Sequence, residues 1–405
     1  VVILSIPLFF ILIGAEVIYD LIQRKKGNPG LYRLNDAFTN ISCGIVDQLS
    51  GVFAKVFTVW VYAMVFDFFT NQHSLEWKPS WYMYVLAFVL IDLAYYWSHR
   101  LSHQVNLFWV GHVVHHQSEE YNLSVALRQG AFQKVLMFWI YLPLAMFGLP
   151  PGWFAVSMGF NLLYQFWIHT EHVKTMGIFE HVLNTPSHHR VHHGRNPKYI
   201  DKNHAGVFII WDRLFGTFQK EEERPVYGIT RPTNTFNPVL AHVQPFQRLI
   251  KDVGSIPNWT DKFKFLFNSP GWYPQSMGGV QSAPEVPKEY QKFHLVLPLQ
   301  LNVYLLVQYF ILVATTAFFL FTYLNYHIGV QVGVVVWVLL SLLAIGGIFD
   351  RSKIGRSVEL FRLVFSAFFV AILVQVFGFP MPFFVVSGLN LLSIFWFLRV
   401  YKQVS

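Results

Sequence analysis

Apolar runs of bilayer-crossing length recur near 1–22, 49–69 and 81–97, over 131–149 and 151–169, and near 296–324, 328–349, 358–378 and 381–400. At 1.5 Å rise per residue, about 20 helical residues cross a ~30 Å hydrocarbon core, so each run is predicted as a span. Leu149-Pro150-Pro151-Gly152 divides the two middle runs. Neither proline can continue a helix, so 131–169 is expected to form a helical hairpin turning inside or just beyond the membrane. The longest polar stretch, about 170–295, is rich in Pro, Gly, Asn and Lys/Arg and holds few long periodic runs. The pattern predicts an all-α, multi-pass membrane helical bundle with a polar cap. Two domains are expected, 1–290 carrying spans and cap and 291–405 carrying an extra C-terminal set of transmembrane helices. No cleavable signal is expected in the first run.

Composition strengthens this picture. Charged residues are 13% of the chain, against about 25% in a typical soluble domain, while hydrophobic residues reach 54% and aromatics 18%. The single cysteine, Cys43, excludes an intramolecular disulfide framework and any site built from several cysteines.

The net charge of +8 matters less than where the charges fall. Arg24, Lys25 and Lys26 follow the first run; half of the 30 Lys and Arg lie in 170–295; Arg351, Lys353 and Arg356 separate the C-terminal helix pairs, and Lys402 follows the last run. The opposite connections hold little beyond Lys78. Threading the spans with 24–26 inside puts 98–130, 170–295, 350–357 and the C-terminus on the same, cytosolic face, as the positive-inside rule requires. The basic balance therefore reflects topology and lipid contact, with no nucleic-acid signal.

Most of the 17 histidines cluster in those inside segments. His99 and His103 form HxxxH; His112, His115 and His116 form HxxHH; His189, His192 and His193 form a second HxxHH. Spacings of three and four bring imidazoles to one helical face, so each triplet is expected to point at one place. This set exceeds one tetrahedral zinc site and suits two first-row transition metals with about four protein ligands each. His169 is a candidate extra ligand, with His172 and His188 as further candidates. His73 and His327 are expected at the opposite interface, and His181, His204, His242 and His294 are expected to be structural or solvated. Asp92, inside the third run, is expected to orient a histidine N–H, since an intramembrane carboxylate is costly without a role; Glu171 is read the same way. Tyr95, Tyr96, Trp97 and Trp167 are expected to line a pocket or anchor the interface.

HxxxH, HxxHH and HxxHH around membrane spans resemble the fatty acid hydroxylase/sterol desaturase superfamily of membrane di-iron enzymes. The stretches 120–129, 161–171, 184–196 and 209–218, with the extra C-terminal helices, are most similar to its tetrahydrobiopterin-dependent, ether-lipid-cleaving branch. Where animal forms of that branch carry an acidic residue after the second His of HxxxH, this chain has Gln104. The resemblance implies two Fe ions held by the motif histidines, O2 as oxidant, and a lipid substrate drawn from the bilayer. The expected reaction is hydroxylation of the carbon next to the ether oxygen of an alkylglycerol, releasing a fatty aldehyde and a glycerol derivative. Electrons must come from outside, because neither a dinucleotide fingerprint nor a fused cytochrome b5 motif is present. Tetrahydrobiopterin is the donor implied by the resemblance, and a ferredoxin or cytochrome chain is the alternative. The site would lie at the endoplasmic reticulum membrane in a eukaryote or the inner membrane in a bacterium. A sterol or fatty-acyl hydroxylase/desaturase is the alternative enzyme. A histidine-rich metal transporter is the alternative from another class, although its ligands would be needed across the midplane of several spans. The absence of HExxH and G-x-S-x-G argues against a zincin protease and a serine lipase.

Overall fold

The computed structural model describes residues 5–73, 77–287, 289–377 and 382–401. The described residues are all-helical, with β-like pairing confined to the isolated bridges Leu183–Phe208 and Gly194–Tyr227. In order, the helices are α1 (Ile6–Lys25), α2 (Leu34–His73), α3 (Trp81–Gln104), α4 (Asn106–His116), α5 (Gln133–Met137), α6 (Leu142–Met146), α7 (Pro151–Trp167) and α8 (Pro186–His193). They continue as α9 (Ile210–Leu214), α10 (Pro238–Ser255), α11 (Trp259–Phe267), α12 (Leu299–Thr322), α13 (Ile328–Phe349), α14 (Lys353–Phe377) and α15 (Pro382–Tyr401).

The protein is a multi-pass membrane protein. Among the described residues, Ile6–Lys25, Leu299–Asn325 and Ile328–Phe349 are long and apolar enough to cross a bilayer. The two arms of α2, Leu34–Val52 and Phe57–Gln72, are bent by 50° and make a fourth candidate if taken as one span.

The run 131–149 departs from expectation. It breaks into α5, a 3₁₀ stretch (Phe138–Tyr141) and α6. Pro143 lies in the first turn of α6, where it starts a new helix because it has no N–H to continue the old one. Gly148 then turns the chain at φ 79°. The second arm, α7, has 17 residues, about 26 Å at 1.5 Å per residue and so short of a full hydrocarbon core. The segment is thus a compact apolar insertion of short pieces, where the sequence pattern had predicted a hairpin of two full spans. The connection expected at 379–380, and Lys402, lie outside the described residues.

Two compact units emerge. The first comprises the chain up to Thr233 with His242–Gln291, and the second comprises Asn234–Ala241 with the chain from Lys292 onward. In the second unit a buried polar network ties α12, α14 and α15. Arg362 donates from Nε and Nη2 to Glu359 at 2.8 and 2.7 Å, and from Nη2 to Gln308 Oε1 at 2.8 Å. Tyr304 donates to Glu359, and Gln308 Nε2 donates to Ser393 Oγ at 2.7 Å. A charge in such an apolar setting persists only when paired.

In the first unit, the helix that carries the first HxxHH is wedged into the fold. Val110 of α4 packs with Leu249 and Ile256 of the 242–291 segment and with Phe265 of α11. Asn106 at its start is bonded through N to Asn268 O at 2.9 Å. Gly130 lies against the Gly111 carbonyl, so close that a Cβ there would collide with it. Arg128 grips the other end, with Nε on Val114 O at 2.7 Å, Nη1 on Asn40 Oδ1 at 3.0 Å and Nη2 on Gln117 Oε1 at 2.8 Å. A helix end buried in this way needs such donors for its orphan carbonyls.

Candidate metal centre

Three helices bring the histidine motifs together. α3 ends at Val105, whose extended backbone (φ −121°, ψ 120°) reverses the chain directly into α4. The last two turns of α3, with His99 and His103, therefore face the last two turns of α4. α8 begins at Pro186, a residue suited to a first helical position, and carries the third motif. All eight motif histidines are buried, at 6% exposure or less.

The imidazoles sort into two groups. His99, His103, His112, His116 and His192 form one, and His115, His169, His189 and His193 form the other; within each, one nitrogen per ring lies within 4.8 Å of the rest. Each HxxHH motif is therefore split between the groups, where the spacing alone had predicted that all three rings would converge. Positions i and i+4 of α4 (His112, His116) join the first group and i+3 (His115) the second. In α8 the assignment is reversed, with His189 and His193 in the second group and His192 in the first. On a helix, i+3 and i+4 lie on either side of the line through i, so two flanking centres can share one motif. The groups are adjacent: the His116 and His193 rings stack with centroids 4.4 Å apart.

Inside the groups the Nε2 atoms approach one another. His99 and His116 place theirs 3.0 and 3.1 Å from that of His112. His169 Nε2 lies 3.3 Å from His115 Nε2 and 3.0 Å from His189 Nε2. Two imidazole nitrogens bound to one ion at 2.0–2.1 Å at near-right angles are about 3 Å apart, so the spacing fits a shared cation.

The opposite ring atom is tied to the backbone in four cases. Nδ1 of His99 faces His204 O at 2.8 Å, that of His115 faces Arg128 O at 2.8 Å, that of His169 faces Gln165 O at 2.7 Å and that of His192 faces Lys202 O at 2.9 Å. A carbonyl only accepts, so each Nδ1 carries the proton and each Nε2 presents a lone pair inward.

Electrostatics keeps the rings neutral. Burial, and after it the neighbouring imidazoles, push His116, His192 and His193 well below the ordinary histidine range. Burial takes His112 down to about 3 and His115 to about 4. Neutral imidazoles are ligands, whereas imidazoliums are not. Nε2 of His103, His192 and His193 is buried with no hydrogen-bond partner, which is costly unless a cation takes the lone pair. Donor type, spacing and orphaned atoms all fit metal ions, and nine imidazoles in two sets exceed any single tetrahedral site.

Asp92 does not orient a histidine. Its carboxylate accepts from Asn161 Nδ2, Val207 N (2.8 Å), Phe208 N (3.0 Å) and Trp211 Nε1 (2.9 Å). The loop it anchors also presents the His204 carbonyl to His99. Asp212, which the sequence pattern did not single out, holds the same loop by accepting from His204 N and Ala205 N, both at 2.8 Å. Its only sequence signal was a carboxylate in the apolar stretch 209–218. Gly206 lies between the two anchors, where a Cβ would come within 2.8 Å of Asp92 Oδ1. Glu171 likewise bonds no histidine: it accepts from Tyr227 and lies 3.8 Å from Lys174 Nζ.

His172 and His188 stand outside both groups, packed on Tyr19 and Phe218. His204, expected to be structural or solvated, is fully buried, with its ring 5.0 Å from that of His103 and neither ring nitrogen bonded. His242 contacts Gln129 O, His327 accepts from Gly329 N, and His181 and His294 are exposed. The side chain of His73 lies outside the described residues. Of the aromatic candidates, Tyr95 comes near the centre, 5.5 Å from the His99 ring. Tyr96 bonds Thr217, Trp97 packs on Phe215 and Trp167 on Tyr164.

A helical membrane protein with two adjacent sets of buried, neutral imidazoles is a metalloenzyme of the histidine-rich membrane type. Residues 84–217 match the family model described as fatty acid hydroxylase. The chain is 40% identical to alkylglycerol monooxygenase of Homo sapiens over 88% of its length and 79% of the human protein. It is 36% identical to alkylglycerol monooxygenase of Danio rerio over 98% of its length and 88% of the fish protein. Similarity to lathosterol oxidase of Rattus norvegicus is lower, 29% identity over 34% of this chain and 45% of the rat protein. No solved structure matches the chain. The chain belongs to the fatty acid hydroxylase family, as an alkylglycerol monooxygenase-like enzyme.

Proposed function

We propose that this enzyme oxygenates the carbon next to the ether oxygen of an alkylglycerol, using two irons held by His99, His103, His112, His116 and His192 and by His115, His169, His189 and His193. The observation that carries the reading is the division of nine buried imidazoles into two sets, together with relatives named alkylglycerol monooxygenase that align over most of the chain. Such irons, when bound, supply O2 activation and replacement of a strong C–H bond by C–OH, chemistry beyond acid–base side chains. One oxygen atom enters the lipid and the other leaves as water, with two electrons and two protons from an external reductant. The hydroxylated ether carbon is a hemiacetal, which opens to a fatty aldehyde and the freed glycerol hydroxyl.

The residues of the chain prepare this chemistry. Backbone carbonyls of Arg128, Gln165, Lys202 and His204 fix the ring orientations. Burial keeps bulk water from the centre, which suppresses unproductive reduction of O2. Tetrahydrobiopterin is the reductant favoured by the similarity. The site faces the cytosol in this reading, supported by the excess of Lys and Arg in the polar segments. The oxygenase corresponds to 1–290, and 291–405 serves as a membrane anchor and packing unit.

The test is metal analysis of purified protein with O2 uptake and aldehyde release on an alkylglycerol plus tetrahydrobiopterin, with His115→Ala as control. Two irons per chain, and aldehyde that requires both the pterin and His115, is the expected result. One zinc, or no metal, would remove the oxygenase mechanism.

A further inference from the structure

The three most deeply buried guanidinium groups in the first unit are treated very differently by their surroundings. Arg128, at 2% exposure, bonds Val114 O, Asn40 and Gln117 through its three nitrogens. Arg190, also at 2%, bonds Glu221 through Nε and Nη2, and carbonyls of Thr170, Val173 and Lys174 through Nη1 and Nη2. Arg195, at 7%, has neither Nε nor Nη1 bonded to anything. Its side chain meets Tyr290, whose ring centroid lies 4.9 Å from the guanidinium carbon and whose hydroxyl is within hydrogen-bonding reach of the guanidinium. The nearby carboxylate is engaged elsewhere: Glu119 accepts from Tyr290 and lies 3.9 Å from Arg33. A buried, permanently charged fork with Nε and Nη1 left without an acceptor is costly, and its planar set of N–H donors matches an oxyanion.

Arg195 is also rigidly placed. Its own N–H bonds Val226 O at 2.8 Å, and the preceding Gly194 pairs with Tyr227. It follows His193 by two residues, so the two Cα atoms are within about 7 Å of each other.

We infer that Arg195 is the binding residue for a phosphate group, and that it selects lipids carrying one on the glycerol. This rests on the ether-lipid reading above. Six bonds separate the oxidised carbon of an alkylglycerol phosphate from its phosphorus, which at about 1.5 Å per bond is roughly 7 Å in a zigzag chain. A lipid with its ether carbon at the histidine centre can therefore place its phosphate within reach of Arg195. Tyr290 covers the guanidinium.

The experiment measures binding of hexadecyl phosphate and of hexadecanol to the full-length, iron-loaded protein in detergent, by tryptophan fluorescence, with iron content as the control for the fold. Wild type should bind the phosphate at least tenfold more tightly than the alcohol. Arg195→Ala should bring that ratio close to one with iron retained, and Arg195→Gln should do the same if the alanine variant does not fold. Arg195-dependent competition by inorganic phosphate at millimolar concentration would support the anion site but assign it to free phosphate, whereas a lack of competition assigns it to the lipid head group. A wild-type ratio near one, or a ratio preserved in either variant, overturns the inference. Because the readout is binding, missing aldehyde alongside an intact Arg195-dependent ratio would count against the ether-cleaving reading alone.

Discussion

His99 Nδ1 meets the carbonyl of His204 at 2.8 Å across 105 residues of chain. That contact ties the end of α3 to a loop which itself has no regular secondary structure. Asp92 and Asp212 hold the loop from opposite ends through four backbone N–H groups. One turn of α3, two carboxylates and one carbonyl thus set the direction in which the His99 lone pair points.

Asp92→Ala should therefore disturb the centre without removing a ligand. It leaves Val207 N, Phe208 N, Trp211 Nε1 and Asn161 Nδ2 without their acceptor. Lost bonds to a charged group cost about 1.5–3 kcal/mol each at most, and partial rehydration reduces the sum. A fall of several degrees in the thermal midpoint, with reduced iron per chain, is expected. Gly206→Ala should act in the same direction by pressing a methyl group on Asp92. Unchanged iron in both variants would show that the loop does not control His99.

The split of each HxxHH between two groups makes a sharper prediction. His115→Ala and His189→Ala each remove a ligand from the group of four, while His112→Ala and His116→Ala each remove one from the group of five. Each single variant should lose the ion of its own group and keep much of the other, read by metal analysis per chain. Complete loss of metal from every variant would mean that the two groups load as one unit.

Acid should destabilise the metal-free protein. An unfolded histidine titrates near 6.5, while folded His112 and His115 titrate at about 3 and about 4. Between those limits the unfolded chain binds more protons, so stability falls as pH drops from about 6.5 towards about 3 and levels off below. Thermal midpoints of the apo-protein at pH 7.5, 6.5 and 5.5 check this. The midpoint should already be slightly lower at pH 6.5 than at 7.5 and clearly lower at 5.5, and a flat series would contradict the neutral-imidazole assignment.

In the C-terminal unit, Arg362→Ala should cost about 3–5 kcal/mol, because it leaves Glu359 buried without its cation. Replacing both members together with Met and Leu should recover much of the loss. Unfolding in detergent with increasing denaturant measures both, and equal stability of the single variant and wild type would show that Glu359 sheds its charge.

The sequence alone determined that the chain is helical and membrane-bound, because apolar run length and the 3.6-residue period are local properties. Its histidine spacings likewise marked the motifs, since i, i+3 and i+4 share one side of any helix. Local spacing could not say to which partner each ring turns. That depended on how α4 and α8 are placed against each other, which sends His115 one way and His192 the other. The role of Asp92, the arrival of His204 beside His103, and the broken course of 131–149 were likewise decided by residues far away in the chain. Arg195 belongs with them: a sequence shows a charge, and only tertiary packing shows that Arg128 and Arg190 are satisfied while Nε and Nη1 of Arg195 are left without acceptors.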